Sequence, residues 1–363
     1  MRRKHAWLIL AFLFILMPLA ACGDSGKNGD EPDGKPEPKP EETAGSLEEY
    51  FPFRADTLYR YKGEGNEFAS YTLFTDYILD TEIQFRKDNG GTVLAEVLKL
   101  AEGRLTRTYQ RGEAYFREDY LRNPGLRTGA GTEILLLREP LKKGESWDQG
   151  DGVIREILGI REKVEAAGKT YEALAVTSLM KDEAGAESRI TEYYAKGIGL
   201  IRTVFESPGG DRITSTLEEV VTGAPLKLPV QYHYPRLEPG DYHVKATEAV
   251  FHTNDITRKV LEAGYKAGYT QEVRDAGAGQ VLSPGTKVNV LFLQGGERVR
   301  LDLSGEFLRE MNAGSGYEAM LLQALARTCG GWYGVKSVVL TIDGDNYSSG
   351  HIYFEDEEAI VIP

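Results

Sequence analysis

Two short runs around a glycine turn constrain the fold of this chain more than any other feature. The run at 288–293 is almost wholly apolar, and the run at 298–303 carries an apolar residue at every second position. A period of two is typical of a strand with one buried side, and Gly295-Gly296 between the runs indicates a hairpin. The pattern predicts two adjacent antiparallel strands close to the C-terminus.

A helix is predicted to follow this hairpin and to cover one of its faces. Six residues recur at helical spacing along one stripe: Tyr317, Met320, Leu321, Ala324, Leu325 and Thr328. Ser315 and Glu318 predict a capping box at its start, and Gly330-Gly331 predicts its end. The run at 335–342 predicts a further strand. A twelve-residue helix of about 18 Å matches a six-residue strand of about 20 Å, so the helix can lie along the sheet.

The segment before the hairpin predicts one more strand and one more helix. The strand is predicted at 248–251, and the helix is capped by Thr253 or Asn254 and ends at Gly268. Its apolar face consists of Ile256, Val260, Ala263, Gly264 and Ala267. With a last strand at 351–354, the order becomes β-α-β-β-α-β, which predicts two helices on one face of a small sheet.

This succession resembles the GerMN domain of sporulation and spore-germination proteins. The resemblance is carried by 284–287, 299–304, Glu306-Phe307, the helix at 315–328 and the strand at 335–344. It covers the last third of the chain, and the part before Pro284 is shorter than usual and lacks a Gly-Pro after its helix. The resemblance implies assembly or scaffolding with protein partners in a sporulation or germination complex, self-association included. It supplies no catalytic residue.

The N-terminus has the pattern of an export signal. Three basic residues precede an apolar stretch at 6–21, which is about 24 Å long as a helix and shorter than the hydrocarbon core of about 30 Å. Leu19-Ala20-Ala21-Cys22 resembles a bacterial lipobox. The resemblance implies lipidation of Cys22, cleavage before it, and anchoring by acyl chains to the outer face of the cytoplasmic membrane. An uncleaved anchor and plain secretion are the alternatives.

The charge and the region behind Cys22 limit the possible partners. Removal of residues 1–21 takes three positive charges from a net charge of −13 and leaves −16, which excludes the electrostatic footprint of a nucleic-acid-binding protein. Residues 22–46 are rich in Pro, Glu and Lys and predict a disordered tether. With Cys22 lipidated, Cys329 has no cysteine to pair with. We expect a buried inert thiol there, with a reactive or intermolecular thiol as the alternative.

The long middle segment, 47–222, predicts a β-rich domain. Short alternating runs are separated by turn signals about every ten residues, as in a β-meander. The prolines of 223–241 predict a linker without regular structure, and 242–363 is the predicted GerMN-like domain. The predicted fold class is therefore α+β: a large antiparallel meander, as a bent sheet, half-barrel or sandwich, followed by the small module.

The sequence offers no convincing catalytic, cofactor or metal site. The segment 343–350 hints at a calcium loop but has Phe354 where the bidentate Glu should stand, so we interpret it as a turn. Four histidines lack the spacing of metal ligands: His233, His243, His252 and His351. Trp332-Tyr333 is read as core packing, with a partner-binding loop as the alternative.

The polar face of the strand at 298–303 is read as solvated, and it would be an oligomer surface only if the small domains stack. This face consists of Arg298, Arg300 and Asp302.

These observations predict a non-enzymatic, membrane-anchored lipoprotein whose GerMN-like domain assembles or scaffolds an envelope complex in sporulation or germination. The main alternative is an extracytoplasmic binding protein whose β domain holds an apolar or cell-wall-derived ligand. An envelope hydrolase is the third hypothesis, and it is disfavoured because the sequence shows no nucleophile or metal set.

Overall fold

The computed structural model describes residues 43–127, 133–150, 152–181 and 185–363. The predicted signal segment, the lipidation residue Cys22 and nearly all of the predicted tether lie outside the described residues. The fold opens with a short helix, α1 (Leu47–Tyr50), and continues as a long series of strands. The predicted α+β class with a large antiparallel sheet is confirmed.

Twelve strands form one antiparallel sheet. The first six are β1 (Thr57–Glu64), β2 (Tyr71–Leu79), β3 (Glu82–Asp88), β4 (Val93–Ala101), β5 (Arg104–Arg111) and β6 (Ile134–Arg138). The next six are β7 (Ser146–Asp148), β8 (Ile154–Ala166), β9 (Lys169–Lys181), β10 (Glu187–Ala195), β11 (Gly199–Glu206) and β12 (Arg212–Thr222). Each set is a meander, and β1 pairs with β12 to join the two sets.

The two outer strands of this sheet, β6 and β7, come close to each other. The Leu135 N–H donates to the Gln149 carbonyl at 2.8 Å, and the Trp147 indole N–H donates to the Leu135 carbonyl at 2.9 Å. The sheet is therefore a nearly closed barrel. One buried cluster draws on both meanders and on α1: Leu47, Tyr50, Ile83, Phe85, Leu98, Leu105, Leu137, Leu141, Trp147, Ile157, Leu174, Val176 and Tyr194. Its burial removes a large apolar area from water and favours closure of the sheet.

The predicted proline-rich linker is a β-ribbon, so the expectation that its prolines exclude regular structure is wrong. Strands β13 (Leu226–Arg236) and β14 (Asp241–Phe251) pair along their whole length. Pro229, His233 and Pro235 are an even number of residues apart in β13, so their backbone nitrogens point to the same side of the strand. That side faces away from β14, since the His233 N–H donates to the Thr328 hydroxyl outside the ribbon. A proline at these positions removes no ladder hydrogen bond, because β13 has a strand neighbour on one side only. The domain borders drawn from this linker stay a prediction.

The remaining elements follow the predicted order with additions. They are α2 (Thr257–Gly268), α3 (Gln271–Asp275), β15 (Val288–Gln294), β16 (Arg298–Leu303), α4 (Glu306–Glu310), α5 (Ser315–Tyr333), β17 (Ser337–Ile342), β18 (Asp345–Asn346) and β19 (Ala359–Val361). The β15–β16 hairpin is confirmed, and β17 lies parallel to β16. The last strand is at β19 and not at 351–354, where the structure has only a Ser348–Tyr353 bridge.

Helix α5 begins at Ser315, but the predicted capping box is wrong. Gly314 occupies the N-cap position, and no side chain caps the helix. The Glu318 side chain is fully buried, and its carboxylate accepts a 2.7 Å hydrogen bond from the Tyr347 hydroxyl. Glu318 therefore points into the core, between α5 and the C-terminal segment, and away from the first turn. Helix α5 contacts β13 on one side and β16 and β17 on the other.

The predicted end of α5 at Gly330-Gly331 is also wrong, because the helix continues to Tyr333 and ends at Gly334 with φ of +71°. A Cβ atom at Gly330 would lie 2.4 Å from the Ile362 Cδ1 atom and 2.7 Å from the Val335 carbonyl oxygen. A Cβ atom at Gly331 would meet nothing within 4 Å. Gly330 is therefore required by close packing, and Gly331 is not.

This difference predicts opposite effects of one substitution at adjacent positions. Gly331→Ala should raise the free energy of unfolding by about 0.5–1 kcal/mol, since alanine loses less backbone entropy in a helix. Gly330→Ala should lower it by about 1–3 kcal/mol, because the carbonyl and Ile362 must move. Urea denaturation of both variants measures the difference. Effects of the same sign at the two positions would refute the packing role of Gly330.

Candidate functional site

A loop that leaves the barrel after β5 connects it to the C-terminal elements. We call residues 112–127 the junction loop. Two side chains of β3 hold it in place: Gln84 donates to the Glu118 carbonyl at 2.8 Å, and Arg86 donates to the Ala114 and Phe116 carbonyls, each at 2.6 Å. The Phe116 ring packs on the Tyr333 ring of α5 with a centroid distance of 5.0 Å. The loop is thus fixed to both parts of the fold.

Arg117 is the central cation of this junction and is fully buried. Its Nε lies 3.3 Å from the Asp76 carboxylate, and its Nη2 donates to the Asp76 carbonyl at 2.7 Å. The same guanidinium donates to the His252 carbonyl at 3.0 Å and to the Asp255 carbonyl at 2.5 Å. It therefore joins β2 of the barrel to the turn that follows β14. Burial of a charge is tolerated only with such complete pairing.

The turn after β14 also binds β2 directly. The Thr253 hydroxyl donates to the Thr75 carbonyl at 2.7 Å and accepts from the Asp56 N–H at 2.7 Å. The Asn254 side chain accepts from the Ile78 N–H at 2.9 Å. These contacts and the Arg117 cluster form one continuous polar interface, which fixes the C-terminal elements against the barrel.

Glu118 is the second buried charge of the junction loop, and its surroundings differ from those of Asp76. Its carboxylate accepts from the Leu293 N–H of β15 at 3.3 Å. Burial raises the pKa of the Glu118 carboxyl to about 7, an effect partly offset by hydrogen bonds from the Leu293 N–H and the Tyr333 hydroxyl. Asp76 has two arginines beside it, Arg86 at 3.4 Å and Arg117, whereas no ion pair to Glu118 is found in the described parts of the chain.

Two polar grooves lie beside the β8–β9 hairpin of the barrel. The first has a volume of about 660 Å³ and is lined by the hairpin tip and by β1, β11 and β12, with Lys62, Lys169, Arg202 and Arg212 among its charged residues. The second, of about 630 Å³, is lined by α1 and the two hairpin strands, with Glu49, Arg161, Glu172 and Lys196. Both are large enough for a small polar ligand.

The residues singled out in the sequence are mostly structural. Cys329 is buried, as predicted, and burial raises the pKa of its thiol to about 12. Trp332 and Tyr333 are buried in the last turn of α5, which confirms core packing and excludes the partner-binding loop. The segment after β17 is a turn at 343–344, as predicted. Among the described residues, no group of His, Cys, Asp and Glu side chains is arranged to hold a metal ion.

The predicted solvated face of β16 is wrong for one of its three residues. Arg298 and Arg300 form ion pairs with Glu357 and remain partly exposed. Asp302 is buried and accepts three hydrogen bonds, from the Thr341 hydroxyl at 2.6 Å, the Gly344 N–H at 2.8 Å and the Asn289 amide at 2.9 Å. The face is therefore divided between an exposed ion-pair surface and a buried polar anchor.

Sequence reasoning missed the junction cluster altogether. Its only local signal is the run from Tyr115 to Tyr120, in which three charged residues are enclosed by aromatic ones. Such a run can indicate charges that are buried together with their neighbours, but the partners Asp76 and Asp255 are distant in sequence.

The fold and the junction define the class of this protein: a barrel-like antiparallel sheet fixed by buried charges to an α+β module. The family described as Germane, sporulation and spore germination, matches residues 193–348. Residues 193–348 are therefore similar to the Germane family, in agreement with the GerMN resemblance of the last third of the chain. The match starts within β10, earlier than the predicted domain start at 242.

Several solved structures are similar to parts of this chain. The first GerMN domain of the sporulation protein GerM from Bacillus subtilis is 19% identical, with 37% of this chain and 97% of that chain covered and a TM-score of 0.28. A protein described as exported, with a YmcC-like fold, from Bacteroides fragilis is 15% identical, with 48% and 99% covered and a TM-score of 0.29. A protein described as a lipoprotein from Parabacteroides distasonis is 16% identical, with 47% and 98% covered and a TM-score of 0.31.

No curated protein matches the sequence. Within the described ranges, no helix has the length and apolar character needed to span a membrane.

Proposed function

We propose that this chain is a lipid-anchored, non-enzymatic protein on the outer face of the cytoplasmic membrane. Its Germane domain joins a protein complex of the cell envelope during sporulation or spore germination, and the barrel serves as its fixed support. The observation that carries the proposal is the Germane match over residues 193–348. The lipobox-like segment at Cys22 and the apolar stretch before it support the anchor.

The organisation of the described residues supports an assembly role over catalysis. The buried Asp76 carboxylate is paired with Arg86 and Arg117, and both guanidinium groups also donate to backbone carbonyls. All three side chains are therefore engaged in contacts that hold the barrel and the C-terminal elements together. A fixed orientation between barrel and module suits a protein that presents one surface to a complex, because less conformational entropy is lost on binding.

Deletion of the gene in its own spore-forming host tests this proposal. We expect fewer heat-resistant spores or slower germination, restored by the wild-type chain and not by Cys22→Ala, which lacks the acylated thiol. Affinity purification of the anchored protein from sporulating cells should recover envelope proteins in stoichiometric amounts. Normal spore yield and germination in the deletion strain would overturn the proposal.

A second candidate function is ligand binding by the barrel, favoured by the two polar grooves beside the β8–β9 hairpin. The sequence allowed an apolar or a cell-wall-derived ligand. The polar lining of both grooves favours the latter, since sugar hydroxyls and peptide carboxylates can pair with Lys62 and Arg212.

Soluble peptidoglycan fragments provide the test for this second function. We expect them to raise the melting temperature of the wild-type protein and to lose this effect in the Lys62→Glu, Arg212→Glu double variant. Lys259→Glu, an exposed lysine on α2, is the matched control and should behave as wild type. The absence of any shift at millimolar fragment would exclude this function.

A further inference from the structure

The contact between the junction loop and β15 is formed along a strand edge. Among the described strands, β15 pairs with β16 alone, so alternate backbone groups of β15 face away from the sheet. One of these groups is bound by a side chain, since the Leu293 N–H donates to the Glu118 carboxylate at 3.3 Å. The Tyr333 hydroxyl, whose proton is donated to Glu118, lies 3.5 Å from the Leu291 carbonyl. Glu118 therefore substitutes for a missing neighbouring strand at this edge.

We propose that this contact is a proton-controlled latch: the junction loop is held on β15 while Glu118 is protonated, and ionisation of Glu118 loosens it. A protonated carboxyl still has an oxygen that accepts from the Leu293 N–H, and it places no charge in the interface. An ionised carboxylate in the same position is a buried charge without a cationic partner, which favours release to water. The latch concerns the internal organisation of the chain and is independent of the proposed envelope function.

The groups around Glu118 make it the titrating member of the junction. Helix α5 contributes the Tyr333 hydroxyl and, behind it, Cys329, while β15 contributes no titratable side chain to the contact. The loop itself contributes Asp119 and Tyr120, and β2 contributes Tyr77, which acts on Tyr333.

The nearest cations bind elsewhere. Arg117 pairs with Asp76, and Arg86 is bound to Asp76 and to two carbonyls of the loop. Both arginines of the junction thus compensate the charge of Asp76. Glu118 is buried and is bound by neutral donors.

The direction of the pH effect follows from the raised pKa of Glu118. In the docked loop the pKa is about 7, and in a released loop it returns toward the ordinary value of 4.5. The docked form binds the proton more tightly, so docking is strongest below pH 4.5 and weakens as the pH rises toward 7. The equilibrium constant for release of the loop should increase by about 30-fold between pH 5.5 and pH 8.5. Over this interval the released form is already ionised, whereas the docked form ionises only near pH 7.

Hydrogen–deuterium exchange of the full chain in detergent tests the latch. The readout is the exchange rate of the amides at 288–294, compared between wild type and Glu118→Gln at the same pH so that the intrinsic pH dependence cancels. The glutamine keeps an acceptor oxygen for Leu293 and cannot ionise. We expect the wild-type rate, relative to the variant, to rise by about 30-fold from pH 5.5 to pH 8.5. Glu113→Gln, an exposed residue of the same loop, is the control and should follow wild type.

A constant ratio over this pH range would overturn the latch, and so would an equal pH response of the amides at 173–179 in β9, which would indicate global loosening. Tyr333→Phe gives a second test if Glu118→Gln does not fold. Loss of its hydroxyl removes a donor that favours the ionised carboxylate, so the transition should move to higher pH. A transition that stays in place or moves to lower pH in that variant would also count against the proposal.

Discussion

Arg117→Met is expected to lower the free energy of unfolding by about 4 kcal/mol, the largest effect of any single substitution at the junction. Methionine fills part of the volume but leaves three backbone carbonyls, of Asp76, His252 and Asp255, without their donor. It also removes one of the two cations beside the fully buried Asp76 carboxylate. Removal of one partner from a buried ion pair costs about 3–5 kcal/mol, because the remaining charge stays desolvated.

Arg117→Lys should recover little of this loss. A single ammonium group cannot reach Asp76 on β2 and the carbonyls of the turn after β14 in the fixed geometry of the guanidinium. The Arg117 guanidinium also lies over the Tyr77 ring at 4.0 Å and near the Phe251 ring at 4.9 Å, contacts that suit a flat cation.

Arg122→Met is the matched control for Arg117→Met. Arg122 lies in the same junction loop and pairs with Asp119 at 2.7 Å, but its side chain is 42% exposed. Exposed ion pairs contribute about 0–1 kcal/mol, so this variant should unfold almost as the wild type does. Urea denaturation of both variants is the measurement. A difference of less than about 1 kcal/mol between them would show that the Arg117 contacts do not hold the junction together.

The elements that the sequence predicts correctly are those encoded by local periodicity. The β15–β16 hairpin is specified by alternation around Gly295-Gly296, and the helix α5 by its spacing, so neither depends on distant residues. The prediction of a large antiparallel meander is confirmed for the same reason. The joining of the two meanders into one sheet could not be read locally, since it depends on the pairing of β1 with β12, whose residues are more than a hundred positions apart. The buried surface of α5 is wider than the predicted stripe and includes Glu318, Leu322 and Cys329.

The failed predictions share one cause, which is a packing or pairing partner outside the segment that carries the pattern. Glu318 fits a capping box in the sequence, but the Tyr347 hydroxyl binds its carboxylate in the core. Pro229 and Pro235 predict a break in regular structure, but both lie in β13, which pairs with β14. Their backbone nitrogens face away from β14, so neither proline removes a hydrogen bond between the two strands. Glycine at 330 predicts a helix end, but Ile362 and the Val335 carbonyl require the absence of a side chain. Period and propensity describe one segment and cannot identify its neighbour.

The junction loop shows the same limit at the candidate site. Arg117 and Glu118 are adjacent in sequence and both buried, yet they have different electrostatic surroundings. Arg117 meets a carboxylate and three carbonyls, whereas Glu118 meets an N–H group and a hydroxyl. Only the position of β2 and β15 around the loop decides which of the two charges is compensated. The same local pattern therefore yields a structural anchor at one residue and a titrating group at the next.

Asp302→Ala is expected to lower the free energy of unfolding by about 3 kcal/mol. The carboxylate is the shared acceptor of the Thr341 hydroxyl, the Gly344 N–H and the Asn289 amide, so it ties β16 to the end of β17 and to β15. Hydrogen bonds to a charged group contribute about 1.5–3 kcal/mol each, and their loss is not additive.

Arg298→Ala on the same strand and the same sequence-defined face is the control for Asp302→Ala. Arg298 pairs with Glu357 at 2.7 Å, and both side chains are more than a third exposed, so its loss should cost about 0–1 kcal/mol. Equal stabilities of the two variants in urea would restore the interpretation of this face as uniformly solvated. A large difference would show that Asp302 acts as a buried anchor. The surface of β16 available to another copy of the module would then be limited to Arg298, Arg300 and their ion pairs with Glu357.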